Sequence, residues 1–137
     1  VEASKLTLNN VNLSQYSTDA CRLLWQRRWE KGMRICFVLK VRPEKVEEYK
    51  HRHALVWPEM LDALRESGWH NYSLFLQQDG LVVGYLETPD FEKAQSAINH
   101  HPVNARWQSE MSAYFEPVQN GTTAYHLVPL AEAFHLD

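Results

Sequence analysis

Cysteine is scarce in this chain: Cys21 and Cys36 are the only two in 137 residues. Two are too few, and these are too oddly placed, for a disulfide framework, so a reduced, cytoplasmic protein is the simpler reading. Long apolar runs are missing too. None approaches the roughly 20 residues needed to span a bilayer, so no membrane partner is expected. Nor is there an excess of basic charge: a net charge of -3 supplies no electrostatic footprint for nucleic acid. Glycine-rich phosphate loops and a G-x-S-x-G elbow are absent, and neither cysteine sits beside an obvious base. No basic stretch leads into an apolar core, so a signal peptide is not expected. The chain has no internal repeat and no low-complexity tract.

What is present is ordinary globular material with an aromatic excess. Apolar residues make up 45% and charged residues 23%, which argues against disorder. The length suits one domain with a real core and not two. Five Trp, six Tyr and seven His are many for a small acidic domain. Trp and Tyr join flat apolar faces to a polar tip, so they suit sugar-holding surfaces as well as cores and interfaces.

Residues 1–32 read differently from the rest. Val1 to Thr18 is polar without strong periodicity, and Ala20 to Trp29 can form an amphipathic turn or two around Leu23, Leu24, Trp25 and Trp29. This part is read as an N-terminal extension, native or upstream-translated, and residues 33–137 as the domain. Arg34–Val41 is β-branched and aromatic and predicts a strand. Pro43 suits a first helical turn, and Glu44, Glu47 and Glu48 favour a helix N-terminus there. Pro58 must break that helix; helical periodicity resumes from Glu59 to Ser67, and Gly68 supplies the stop. Asn71–Gln77 and Leu81–Glu87 predict strands joined at an Asp79-Gly80 turn. Helices follow at Phe91–Asn99 and from Pro102, the latter with Val103, Trp107, Met111 and Tyr114 on one side. Asn120-Gly121 reads as a turn, with Ala124–Val128 and Ala131–Leu136 as short closing strands. The order β-α-β-β-α-β is the α+β, ferredoxin-like plan. An open sheet covered by helices on one face leaves its other face bare, so a homodimer with a two-fold partner sheet is expected.

Chemistry concentrates between Tyr49 and Glu59. Val46, Tyr49 and His53 fall at spacings of three and four and share one helix face, while Lys50 and His51 turn aside. A histidine in a pocket trades protons near neutral pH, which suits general acid-base work; the bland alternative is a satisfied histidine at a helix end. Metal binding fits poorly. His51 and His53 point to different faces of a helix, and His100-His101 is an adjacent pair rather than a helical chelate.

The pattern Tyr49-x-x-Arg52-His53-x-x-x-Trp57-Pro58-Glu59, followed by Gly68-x-x-Asn71-Tyr72, resembles the L-rhamnose mutarotase family. Arg106-Trp107 and Leu130-x-Glu132-x-Phe134-x-Leu136 fall where that family has similar residues, so the resemblance runs from Met33 to the C-terminus. It implies a small dimeric α/β barrel that interconverts the α and β anomers of 6-deoxy sugars. His53 would then be the acid-base residue, with Tyr49, Tyr72 and Trp107 lining the sugar site and Trp57, Arg106 and Gln108 as further substrate-binding candidates. Two departures stand out. The family commonly carries a second tryptophan after Arg-Trp, where this chain has Gln108. An Asn-Ser-Pro turn is also missing, with Asn120-Gly121-Thr122-Thr123 in that region. An amide in place of an indole makes L-fucose a candidate beside L-rhamnose.

Anomer exchange removes a proton from O1 and delivers one to the ring oxygen O5, with no cofactor, metal or covalent intermediate. His53 is expected to serve one of these oxygens. Tyr49, Glu59 or Glu132 would serve the other or orient the histidine, and Trp57 and Trp107 would pack against the sugar's C–H face and methyl group. Trp57 reads equally well as an aromatic of a dimer core. The same barrel plan hosts haem-binding proteins, cofactor-free monooxygenases and non-catalytic sugar-binding modules, so fold does not decide function.

Overall fold

Apolar side chains at every second position make Met33–Val41 a strand with one face in the core: Ile35, Phe37, Leu39 and Val41 are buried. The structure is a computed structural model that describes residues 32–137 and, ahead of them, residues 7–8 and 11–12. The amphipathic segment expected from Ala20 to Trp29 lies outside the described residues.

In chain order, β1 (Thr7–Leu8) pairs with β2 (Val11–Asn12), and the domain proper begins with β3 (Met33–Val41). A short 3-10 turn, Pro43–Lys45, leads into α1 (Val46–Ala54), and α2 is Pro58–Glu66. Then come β4 (His70–Leu76), β5 (Leu81–Thr88), α3 (Phe91–Asn99), α4 (Pro102–Met111) and β6 (Phe115–Glu116). The four main strands form an antiparallel sheet in the order β4-β5-β3-β6. That is the ferredoxin-like arrangement expected from the sequence, with helices packed on one face. Their buried residues, including Val46 and Tyr49 of α1, Met60 of α2, Ile98 of α3 and Trp107 of α4, join the inward face of β3 and β5 in one core.

Two local features set what faces that core. Gly84 lies opposite Phe37 across β3 and β5, and a Cβ on Gly84 would run into the Phe37 ring. The missing side chain lets the ring lie across β5, where it is fully buried. The second feature is a bulge in β4. His70 pairs with Glu87 and Ser73 with Tyr85, so β4 carries one extra residue there. Asn71 takes it up in left-handed backbone at φ 44, with its side-chain amide donating to Glu87 Oε1 at 3.3 Å. The pleat is thereby set so that Tyr72, Leu74 and Leu76 turn inward while Ser73 and Phe75 face out.

The expected closing strands at Ala124–Val128 and Ala131–Leu136 are not strands. The fourth strand of the sheet is β6, which pairs Phe115 and Glu116 with the end of β3. Ala124–Val128 is instead wound tightly: Thr123 N donates to His126 O at 2.8 Å and Val128 N to Thr122 Oγ1 at 3.0 Å. Beyond it the chain touches the free edge of β3 through Leu130 N to Cys36 O at 2.7 Å and the Arg34–Glu132 pair at 2.7 Å. Among the described residues no helix is long and apolar enough to cross a membrane.

Candidate active site

Between the inner face of the sheet and the helices lies a cavity of about 350 Å³. Small-molecule sites commonly span about 300–1,000 Å³, with apolar walls and a few convergent polar groups. Phe37 and Leu39 of β3, Met60 and Leu64 of α2, and Met111 of α4 supply apolar wall. The polar groups come from Tyr49 and His53 of α1, Tyr72 of β4, and Asn104 and Gln108 of α4.

His53 sits in the last turn of α1, where Pro58 and the Leu55–Trp57 link end the helix before α2 begins. Its Nδ1 is 3.0 Å from the carbonyl oxygen of Tyr49. A carbonyl only accepts, so Nδ1 carries the hydrogen and Nε2 is left as the ring's proton acceptor. The imidazole is sandwiched by aromatics. The Tyr49 ring lies 4.1 Å from it centroid to centroid, and Trp107 meets it edge-on at 5.5 Å. Burial pushes the His53 pKa down, against the raising effect of the Tyr49 carbonyl, so the neutral ring is favoured near neutral pH. Burial likewise pushes the phenols of Tyr49 and Tyr72 up, and both stay protonated. The cavity wall thus carries one imidazole favoured in its neutral form and two phenols that stay protonated.

Gln108 and Asn104 lie one turn apart on α4. Gln108 Nε2 donates to Asn104 Oδ1 at 3.4 Å, while Gln108 Oε1 is buried without a partner among the described residues. The cavity's far side is closed by the wound segment after β6. Asn99 Nδ2 donates to Tyr125 O at 2.6 Å, and the Gln95 carboxamide accepts from Leu127 N, which sets Leu127 against the cavity.

A model of the family described as L-rhamnose mutarotase matches residues 34–136. This chain belongs to the L-rhamnose mutarotase family. The L-rhamnose mutarotase of Oceanobacillus iheyensis is 36% identical over 102 residues, covering 74% of this chain and 95% of the relative. That of Bacillus subtilis is 37% identical over 101 residues, covering 73% and 94%. The crystal structure of an L-rhamnose mutarotase from Formosa agariphila superposes with a TM-score of 0.63 over 77% of this chain and 100% of that one, at 20% identity. At that identity the likeness speaks for the fold.

The mutarotase-family residues singled out from the sequence do not all meet. His53, Tyr49, Tyr72, Trp107 and Gln108 line the cavity. Trp57 does not. It stands behind Trp107, edge-on at 5.3 Å, and lines a second pocket with His51 and Arg52 on the other side of Trp107. Arg106 points outward as well, with its guanidinium 5.6 Å from the Trp57 ring centre and 3.3 Å from Glu59. Both candidate carboxylates are therefore engaged away from the cavity, Glu59 with Arg106 and Glu132 with Arg34. The cause is helix geometry: Arg106 and Trp107 are neighbours in α4, so only one of them can face inward. Asn104 and Trp69 line the cavity and were missed. Asn104 was findable, because it lies three residues before Trp107 and four before Gln108 on the same helix face. Among the described residues no group of three or more His, Cys, Asp or Glu side chains is placed to hold a metal ion.

Proposed function

We propose that this chain interconverts the α and β anomers of L-rhamnose, with His53 carrying the proton. The observation that carries the reading is the His53 imidazole, held neutral in a sugar-sized cavity with Nδ1–H donated to Tyr49 O and Nε2 free to act. Nε2 takes the O1 proton, the C1–O5 bond breaks, and O1 becomes the aldehyde oxygen. The imidazolium returns that proton to O5. After rotation about C1–C2 the steps reverse on the other face of C1, so protons and electrons balance with no other reactant. The uncatalysed reaction already runs in water, so assistance of about 10²–10⁴-fold is sufficient. Tyr49 is a positioning residue through its carbonyl and ring. Tyr72 donates to a ring hydroxyl, and Trp107 packs on the sugar's apolar face.

L-Rhamnose is preferred over L-fucose because the family model and the relatives described above name the former, and none of them names the latter. The test is NMR exchange between the α and β signals of each sugar, with and without protein. Unchanged exchange on L-rhamnose ends the mutarotase reading. Exchange accelerated more on L-fucose than on L-rhamnose moves the substrate.

A second copy of the chain is the proposed cover for the sheet's outer face. Val38 and Val83 are cross-strand partners there, Phe75 pairs with Val83 from the other side, and Phe75 is 63% exposed. Such a row of apolar side chains is what a partner sheet buries. Light scattering that gives a monomer mass at micromolar concentration counts against it. Residues 33–137 are read as the mutarotase domain, in keeping with the family match over 34–136, and 1–32 as an extension. A cytoplasmic setting goes with the free thiol of Cys36.

A further inference from the structure

We propose that Asn104 fixes the orientation of the Gln108 amide, so that this cavity selects a sugar whose hydroxyl at that place acts as a hydrogen-bond donor. The inference rests on the sugar site described above and adds its polarity. An unconstrained glutamine can turn either end of its amide toward a ligand, and a sugar hydroxyl can answer both, since it donates and accepts. In the structure Asn104, only 2% exposed, accepts from Gln108 Nε2 at 3.4 Å, which directs the nitrogen end of the amide along the helix. The oxygen end is left without a donor among the described residues. Gln108 Oε1 is buried at the cavity wall, and no described residue donates to it.

A buried acceptor without a partner costs stability, and a ligand hydroxyl that donates to it recovers that cost on binding. A substituent that accepts but cannot donate leaves the carbonyl oxygen unpaired and adds a second electronegative atom against it. Sites built to bond a hydroxyl reject analogues lacking it far more strongly than sites that merely fit a shape. Asn104 is a positioning residue in this account, since it acts through Gln108.

The experiment uses L-rhamnose and its monofluoro derivatives, in which fluorine replaces one ring hydroxyl at a time. Each is followed by NMR anomer exchange, and each catalysed rate is divided by that sugar's own rate without protein. Fluorine keeps the size and some acceptor character of the hydroxyl and removes the donor. One derivative is expected to lose about 10- to 100-fold with the native protein. In Asn104→Leu the Gln108 amide is free to turn, and that penalty should collapse to within about threefold of the other derivatives. Gln108→Leu should remove the same penalty, and the double variant should behave like either single one. A merely structural role for Asn104 would lower exchange on all the sugars together and leave their ratios unchanged, which overturns the proposal. A native protein that shows no selective loss overturns it as well, while leaving the mutarotase reading in place. Absence of exchange on L-rhamnose itself overturns both. If Asn104→Leu does not fold, native against Gln108→Leu on the same sugars still decides whether the acceptor exists.

Discussion

His53 Nδ1 and the carbonyl oxygen of Tyr49 lie 3.0 Å apart, one turn from each other on the same helix. The contact settles a tautomer that spacing alone leaves open. Tyr49 O lies inside α1, where the backbone N–H of His53 is its regular donor, so the imidazole takes the carbonyl's second lone pair and is oriented by it. The orientation of the proposed proton acceptor, Nε2, is thus set through a backbone atom, which a side-chain change at Tyr49 does not remove.

Replacing the base should separate chemistry from folding. His53→Ala is expected to cut exchange on L-rhamnose by about 10²–10⁴-fold with its far-UV spectrum preserved. Near-native exchange in that variant would transfer the proton work to another group. Tyr49→Phe keeps the carbonyl and the ring, so its exchange should fall far less than that of His53→Ala.

The response to pH follows from burial. The folded-state pKa of His53 is pushed below its ordinary value of 6.5, so the unfolded chain takes up the proton first as pH falls. Stability from this group is complete above 6.5 and is lost as pH drops from there through the lowered folded value. Exchange should decline in acid over a range beginning below 6.5, because only the neutral ring accepts the O1 proton. Denaturant midpoints of native protein and His53→Ala, compared at pH about 7.5 and about 5, isolate this residue from the other histidines. A native loss no larger than the variant's would remove His53 from the account.

Arg106 and Trp107 are sequence neighbours with different expected roles. Arg106→Ala breaks an exposed pair with Glu59, worth about 0–1 kcal/mol, and a contact over the Trp57 ring outside the cavity, and should leave exchange within about threefold of native. Trp107→Leu removes a cavity wall that also packs on His53, and exchange should fall by at least about tenfold. Equal losses in the two variants would place the guanidinium at the sugar.

Gly84 is a packing position with a catalytic echo. Gly84→Ala forces the Phe37 ring off its seat, and overpacking of this kind costs about 1–3 kcal/mol. The thermal midpoint should fall by roughly 4–8 °C per kcal/mol. KM for L-rhamnose should rise too, since Phe37 lines the cavity. An unchanged melting curve would mean the strands part easily there.

The bulge in β4 predicts an asymmetry between two substitutions at Asn71. Glycine accepts φ 44 readily, whereas a β-branched valine there costs about 1–2 kcal/mol. Asn71→Val should therefore melt lower than Asn71→Gly and lose exchange as Tyr72 turns. Equal stability of the two would mean the left-handed backbone is not enforced.

The sequence by itself determined what is local. Alternation along Arg34–Val41, the proline at the start of α2 and the Phe91–Asn99 periodicity each express short-range sterics and hydrogen bonding, and each was legible to within a residue or so. So was the Tyr49–His53 face, because helical spacing alone aligns it. Tertiary structure decided what those faces meet. It turned Arg106 and Trp57 away from the cavity, paired Glu59 and Glu132 on the surface, and wound Ala124–Val128 into a clasp held by Gln95 and Asn99. It also left Gln108 Oε1 buried without a described partner. These outcomes depend on contacts between residues far apart in the chain, where burial and the need to satisfy each polar atom override any pattern written along it.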